Sequence, residues 1–100
     1  MQIRFRTKKL QAQYEDHRKA QQAYPEEVAR KYILRINIIQ QSNSIDELIK
    51  QSALRCHPLK GNREGQWAIR LTGYYRLIFT VEGDRLEIAR IEKVSKHYED

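Results

Sequence analysis

Residues 66–81 read QWAIRLTGYYRLIFTV and form two alternating runs on either side of the turn signal Thr72-Gly73. Successive side chains of a strand point to opposite faces of its sheet, so each run predicts a strand with one apolar face. The apolar faces would be made by Trp67, Ile69 and Leu71 in the first run and by Tyr75, Leu77, Phe79 and Val81 in the second. This stretch therefore predicts an antiparallel hairpin that covers a core with one side.

The length of the hairpin loop decides which side chains meet. A two-residue loop at Thr72-Gly73 would place Arg76 among the apolar side chains, and a buried unpaired charge costs several kcal/mol. A three-residue or bulged loop, Thr72-Gly73-Tyr74, avoids this. The predicted pairs are then Leu71 with Tyr75, Ile69 with Leu77, and Trp67 with Phe79.

The same register sets Arg70 directly opposite Arg76 on the face away from the core. Like charges that face each other across a strand pair are destabilising unless something compensates them. A phosphate would do so, because a guanidinium group binds phosphate with two hydrogen bonds. The alternative is that the two arginines extend into water or pair with Glu87 or Glu92.

The first half of the chain predicts helices after one short strand. The strand is Gln2 to Phe5, and Thr7 can cap a first helix from Lys8 to about Arg18. Pro25 suits the start of a second helix. Its stripe at helical spacing is Val28, Tyr32, Ile36 and Ile39. The β-branched content of residues 32–39 leaves a strand open for that segment.

The remaining elements complete an α+β fold. Ser44 and Glu47 match a capping box, which predicts a short third helix to about Gln51. Further strands are predicted over residues 54–59 and from 85 to about 94, with a bulge around Ala89-Arg90-Ile91. We expect residues 1–100 to form a single domain, with N-terminal helices on one face of a small, mostly antiparallel sheet.

Charge and composition restrict the partners of the chain. It has 19 Lys and Arg against 13 Asp and Glu, a formal net charge of +6 that favours an acidic partner such as nucleic acid. The single cysteine, Cys56, excludes an internal disulfide and is expected to be a small buried residue. Neither a membrane span nor a signal peptide is apparent, so the expected location is the cytoplasm, without a membrane partner.

Strand parity also places the first candidate for proton transfer. If Leu54 and Cys56 point to the core, Arg55 and His57 point to the face that carries Arg70 and Arg76, and Lys60 follows just beyond. His17, in a polar helix, is expected to be solvated. An imidazole near several cations indicates phosphate chemistry.

Three segments resemble one family. Residues 54–69, LRCHPLKGNREGQWAI, resemble the H-P-L-K-G…G-x-W-x-I signature of HigB-type toxins, which belong to the RelE/ParE superfamily of toxin–antitoxin modules. Residues 75–79, YRLIF, resemble the arginine-bearing strand that follows in that family. Residues 94–98, VSKHY, are similar to its C-terminal V-x-D-H-Y or D-Y-H segment.

The resemblance implies a RelE-like fold and a function. It implies cleavage of messenger RNA in the ribosomal A site by an endoribonuclease that uses neither a metal nor another cofactor. It also implies neutralisation by an antitoxin, often a HigA-like helix-turn-helix protein. Contact with operator DNA would occur only through the complex of the two proteins, which represses the operon.

Carried over by motif, the expected catalytic residues are His57, Lys60, Arg76, His97 and Tyr98. We expect His57 and His97 to transfer protons, because the imidazole pKa of about 6.5 suits that task. Substrate contacts are expected from Arg70, Arg55 and Arg63. Lys96 stands where many relatives carry Asp, which puts a carboxylate role at that position in doubt.

Two other functions stay open at the level of sequence. The first is a ParE-like toxin that inhibits DNA gyrase and has no need of His57 or His97. The second is a catalytically inactive relative that binds nucleic acid, which the Lys96 substitution keeps open. Cleavage of translated messenger RNA separates the nuclease from both.

Overall fold

A computed structural model describes residues 1–96. Short 3-10 turns cover Ser52–Leu54 and Gly61–Arg63. The regular elements in chain order are β1 (Gln2–Phe5), α1 (Lys8–Glu15), α2 (His17–Ala23), α3 (Glu26–Gln41), α4 (Ile45–Ile49), β2 (His57–Pro58), β3 (Gln66–Arg70), β4 (Arg76–Glu82) and β5 (Ile88–Ser95). None of the described helices is long and apolar enough to cross a membrane.

The strands form one sheet in the order β1-β5-β4-β3-β2. β1 runs parallel to β5, and the other neighbours are antiparallel. One sheet face meets the helices: the α3 residues Tyr32, Ile36 and Ile39 are buried with residues of β3 and β4 in one core. The predicted α+β architecture with a mostly antiparallel sheet is confirmed.

The register predicted for the β3–β4 hairpin is also confirmed. Ile69 pairs with Leu77 and Trp67 with Phe79. The Leu71 amide donates to the Tyr75 carbonyl at 3.0 Å, which closes the loop over residues 72–74. The core therefore receives the apolar side chains, and Arg70 faces Arg76 across the pair.

The prediction for the first helix is wrong at its C-terminal end. Thr7 caps it as expected, with its Oγ1 accepting from the Leu10 amide at 3.1 Å, but α1 ends at Glu15. Asp16 is extended, with φ −132°, and its side chain accepts from the Arg18 amide at 3.0 Å. Aspartate is a favoured N-cap residue, so Asp16 starts a separate helix, α2.

Helices α3 and α4 match the prediction except at one cap. The stripe of α3 is buried, and the alternative of a strand over residues 32–39 is wrong. Ser44 precedes α4 but makes no side-chain cap hydrogen bond. Instead, Glu47 accepts from the Asn43 amide at 2.8 Å, so only the carboxylate half of the predicted capping box forms, one residue earlier.

The strand predicted over residues 54–59 is mostly wrong. Arg55 has a left-handed φ of 49°, which interrupts the extended backbone. The strand is reduced to His57–Pro58, after which the Leu59 amide still donates to the Gln66 carbonyl of β3 at 2.8 Å. The bulge of β5 lies at Glu92 and not around residues 89–91: Ile78 pairs with Lys93 while Phe79 pairs with Ile91. An extra residue in one strand of this kind reverses the parity of every side chain after it.

Cys56 is buried, as the sequence predicts, and lies in the main core. Burial disfavours the charged thiolate and raises the pKa of Cys56 to about 11. The thiol therefore stays protonated at neutral pH and serves as a small apolar side chain.

Leu86 in the β4–β5 connection offers a test of backbone strain. It has a left-handed φ of 54° while its side chain is 58% exposed. Leucine is disfavoured in this region by about 1–2 kcal/mol, whereas glycine is not. We expect Leu86→Gly to raise the free energy of unfolding by about 0.5–1 kcal/mol in urea titrations. Leu86→Ala keeps the strain and should not stabilise; equal stabilisation by both variants would contradict this explanation.

Candidate active site

The sheet face that turns away from the helices carries two adjacent rows of polar and basic residues. The first row consists of Arg70, Arg76 and Ser95. The second row consists of His57, Ala68, Ile78 and Lys93. From strand spacings of about 4.8 Å and a rise of about 3.3 Å per residue, the His57 backbone lies about 8 Å from Arg70 and about 12 Å from Arg76.

A small apolar cluster lies in the second row of this face. Ala68 and Ile78 are fully buried and pack with Leu59, separately from the main core. The centre of the second row is thus filled by apolar side chains, while His57 and Lys93 stand at its two ends. The basic residues therefore lie around an apolar centre that is itself buried.

The backbone fixes the orientation and the tautomer of His57. Its Nδ1 lies 2.7 Å from the carbonyl oxygen of Arg55. A carbonyl oxygen only accepts, so Nδ1 carries the proton and the neutral ring has its lone pair on Nε2. Arg55 holds this carbonyl in place at the cost of its left-handed backbone, with φ 49°. Strain of this kind is often retained beside functional side chains.

Arg76 is held by the carbonyl groups of its own hairpin loop. Its Nη1 donates to the Thr72 oxygen at 2.7 Å and to the Tyr75 oxygen at 3.0 Å. These bonds fix the plane of the guanidinium group at the start of β4. A cation that is fixed before an anion arrives loses little freedom on binding it, which strengthens the interaction.

Carboxylates lie at the opposite end of this face. Glu92 accepts from the Thr80 hydroxyl at 3.0 Å and from Arg90 at 3.2 Å, and Glu82 lies 4.0 Å from Arg4. Glu87 accepts from the Arg85 amide at 2.9 Å. Within residues 1–96, therefore, the facing arginines do not pair with Glu87 or Glu92, which was one of the two alternatives to a bound phosphate.

The other predicted site residues lie outside the two rows. Arg55 and Lys60 are exposed and flank β2, and Arg63 is half-exposed in the 3-10 turn before β3. His97 and Tyr98 lie outside the described residues. No group of three or more His, Cys, Asp or Glu side chains that could hold a metal ion occurs in the described part of the chain.

Sequence reasoning missed Lys93. The residue is exposed and lies in register with Ile78, in the row that begins at His57. A regular alternation that starts from the buried residues Ala89 and Ile91 would turn Lys93 toward the helices. The bulge at Glu92 reverses this parity, and only the pairing with β4 reveals it.

An imidazole of defined tautomer on the same sheet face as two facing arginines suits chemistry on a phosphodiester. The imidazole can act as a proton acceptor or a proton donor. The guanidinium groups can stabilise negative charge that develops on the phosphate oxygens. The arrangement therefore fits cleavage of a nucleic-acid backbone.

Comparison with solved structures shows the same fold in bacterial and archaeal toxins. The YoeB/ParE toxin from Agrobacterium tumefaciens is 22% identical, with a TM-score of 0.58 over 98% of this chain and 100% of that chain. The YoeB–YefM complex from Staphylococcus aureus is 20% identical, with a TM-score of 0.62 over 98% of both chains. The archaeal RelE–RelB complex from Pyrococcus horikoshii is 16% identical, with a TM-score of 0.61 over 99% of this chain and 97% of that chain.

At these identities the likeness shows the fold alone, and comparison with curated protein sequences gives no significant match. The family model for HigB-like toxins, described as RelE-like toxins of the type II toxin–antitoxin system HigB, matches residues 3–91. The gyrase-inhibiting alternative is not favoured. The chain therefore belongs to the HigB-like family of RelE-like toxins: it is a type II toxin with ribonuclease activity, and its partner is a cognate antitoxin.

Proposed function

We propose that this toxin cleaves messenger RNA in the ribosomal A site by a reaction that needs no metal. The observation that carries the proposal is the facing pair Arg70 and Arg76, with His57 in the next row of the same sheet face. The pair supplies positive charge for a phosphate, and the imidazole supplies a group that can accept or donate a proton.

The proposed reaction uses the ribose 2′-hydroxyl as its nucleophile. His57 takes the hydroxyl proton on Nε2, the 2′-oxygen bonds to phosphorus, and the bond from phosphorus to the 5′-oxygen breaks. A second group, assigned to His97 by the family motif, donates a proton to the leaving 5′-oxygen. The products are a 2′,3′-cyclic phosphate and a 5′-hydroxyl. The bond from Nδ1 of His57 to the Arg55 carbonyl supports this role as base.

The cations would stabilise the charge that accumulates on the phosphate oxygens. Arg76 and Lys60 act on the phosphorane-like transition state, and Arg70 assists. Arg55 and Arg63 would contact the substrate strand beside β2, and Tyr98 would stack on a base or orient the phosphate. The basic surface beyond these residues would contact ribosomal RNA.

The proposal extends to partners and location. A HigA-like helix-turn-helix antitoxin would neutralise the toxin, and operator DNA would be bound only by the complex of the two. Because ribosomes are required, the toxin would act in the cytoplasm. Lys96, exposed at the end of β5, leaves an inactive nucleic-acid-binding relative as the alternative outcome.

A translation reaction with purified ribosomes tests the chemistry. We expect the toxin to cut messenger RNA only when it is translated and to leave a 2′,3′-cyclic phosphate. A single 2′-deoxy nucleotide at the cut position should abolish cleavage there, since the nucleophile is missing. A product with a 3′-hydroxyl end would contradict the mechanism. Intact messenger RNA together with inhibited DNA supercoiling would favour a ParE-like toxin, and neither effect would favour the inactive relative.

A further inference from the structure

Arg35 is the one residue of α3 that forms a described side-chain hydrogen bond to the sheet within residues 1–96. Its Nε donates to the carbonyl oxygen of Arg70 at 3.2 Å, where β3 ends. Its neighbour Ile36 is buried in the core, so the helix itself lies on the opposite face from the two rows. The long arginine side chain thus connects the helical layer to the end of β3 that bears Arg70.

Positive charge accumulates around this contact. Burial, followed by the charges of Arg30 and Arg70, lowers the pKa of Arg35. Within residues 1–96, Arg30, Arg35 and Arg70 form no ion pair with a carboxylate. The positive charge of the partly buried Arg35, repelled by Arg30 and by Arg70, lowers the stability of the fold unless an anion joins it.

The cluster is continuous with the candidate active site. Arg70 carries the carbonyl that binds Arg35, and its side chain faces Arg76 across the hairpin. Arginines from α3, β3 and β4 therefore lie at one end of the sheet. The hydrogen bond at Nε orients the Arg35 group in advance, and its terminal Nη donors retain the geometry that binds phosphate.

We propose that Arg35, with Arg70 and Arg30, forms a second phosphate subsite that binds the RNA backbone next to the scissile phosphate. This inference rests on the proposed function, which places the scissile phosphate by His57, Arg70 and Arg76. The subsite holds the strand in register and takes no part in bond breaking. Arg35 and Arg30 are thus substrate-binding and positioning residues, which the sequence analysis did not identify.

The test uses an RNA hexanucleotide with 2′-O-methyl groups, which cannot be cleaved, and nuclear magnetic resonance of arginine Nε–H groups. The Arg35 Nε–H is bonded to a carbonyl, which protects it from exchange with water and makes it observable. We expect its resonance to shift as the strand is added at low salt. An Arg35 resonance that stays unchanged up to millimolar strand would overturn the proposal.

Binding of the same strand by variants gives the second readout. We expect Arg35→Gln to weaken binding about tenfold, as for the loss of one charge-assisted contact. The slope of log affinity against log salt should fall by about 0.7. The control is Arg18→Gln, which removes the same charge from a side chain that is 87% exposed and lies beside Asp16. An equal loss of affinity in the two variants would mean that only the net charge of the protein matters, and it would overturn the subsite.

Unfolding must be distinguished from weaker binding, and binding must be distinguished from cleavage. If Arg35→Gln unfolds the protein, Arg30→Gln replaces it, because Arg30 is exposed. We then expect Arg30→Gln to weaken binding of the strand more than Arg18→Gln does, and an equal or smaller loss would reject the subsite. Because the probe has no reactive 2′-hydroxyl, binding and cleavage are judged separately. A toxin that binds the strand at Arg35 but leaves messenger RNA intact retains the subsite and loses the proposed reaction.

Discussion

The His57→Ala variant is expected to cleave translated messenger RNA about 10²- to 10⁴-fold more slowly than the wild-type toxin, the usual range for a lost general acid or base. The imidazole is held by the Arg55 carbonyl, so its removal deletes one oriented proton acceptor and leaves the backbone of β2 unchanged. The rate should be measured in single-turnover reactions with programmed ribosomes, so that chemistry is separated from binding.

The chain offers a matched control for this experiment. His17 lies in α2, is exposed, and has its Nε2 3.4 Å from Glu26. His17→Ala should cleave at the wild-type rate, because α2 packs on α1 and α3 and is remote from β2. Adding His97→Ala to His57→Ala should cost less than the product of the single effects if the two act as one unit. A double variant with the full rate would reject both assignments.

The Phe79→Ala variant is expected to lose about 3–5 kcal/mol of unfolding free energy. Phe79 is fully buried in the main core and pairs with Trp67 on one side and Ile91 on the other. The loss combines the transfer energy of the ring with the cavity that it leaves. Domains of this size typically have only about 5–15 kcal/mol in total, so the variant should be marginally stable.

Urea unfolding followed by circular dichroism measures this loss. The midpoint should fall while the slope of free energy against urea stays constant, since the surface exposed on unfolding hardly changes. Leu34→Ala serves as the control, because Leu34 is 42% exposed and should lose far less. A loss at Phe79 no larger than at Leu34 would mean that this sheet face does not form the core.

The geometry of the candidate site was predictable where one large energetic cost decided it. The charge of Arg76 cannot be buried among apolar side chains, so the loop length, the register and the Arg70–Arg76 pair all follow from residues 66–81. His57 followed by parity, although the strand around it is shorter than expected. Arg35 was not predictable, because its partner is a backbone carbonyl 35 residues away that no sequence pattern marks.

The break between α1 and α2 has a local signal in the sequence, the N-cap residue Asp16. Asp16 is a favoured N-cap residue, and here its extended backbone ends one helix and its side chain starts the next. Residues 54–59 carry a local signal that misleads. Their alternation is typical of a strand, but the left-handed backbone at Arg55 leaves a strand of only two residues, His57–Pro58. Propensity is a weak guide in short segments, where tertiary contacts decide.

By itself, the sequence determined the features that depend on neighbours along the chain: the buried stripe of α3, the hairpin register, and the arginine pair on the outer face. Tertiary structure alone decided the parallel pairing of β1 with β5, the bulge at Glu92 that turns Lys93 to the sheet face of His57, and the hydrogen bond from Arg35 to Arg70. The physical reason is the separation along the chain of the residues that interact. Alternation and burial are set by adjacent side chains, whereas these contacts form between segments that only the finished core brings together.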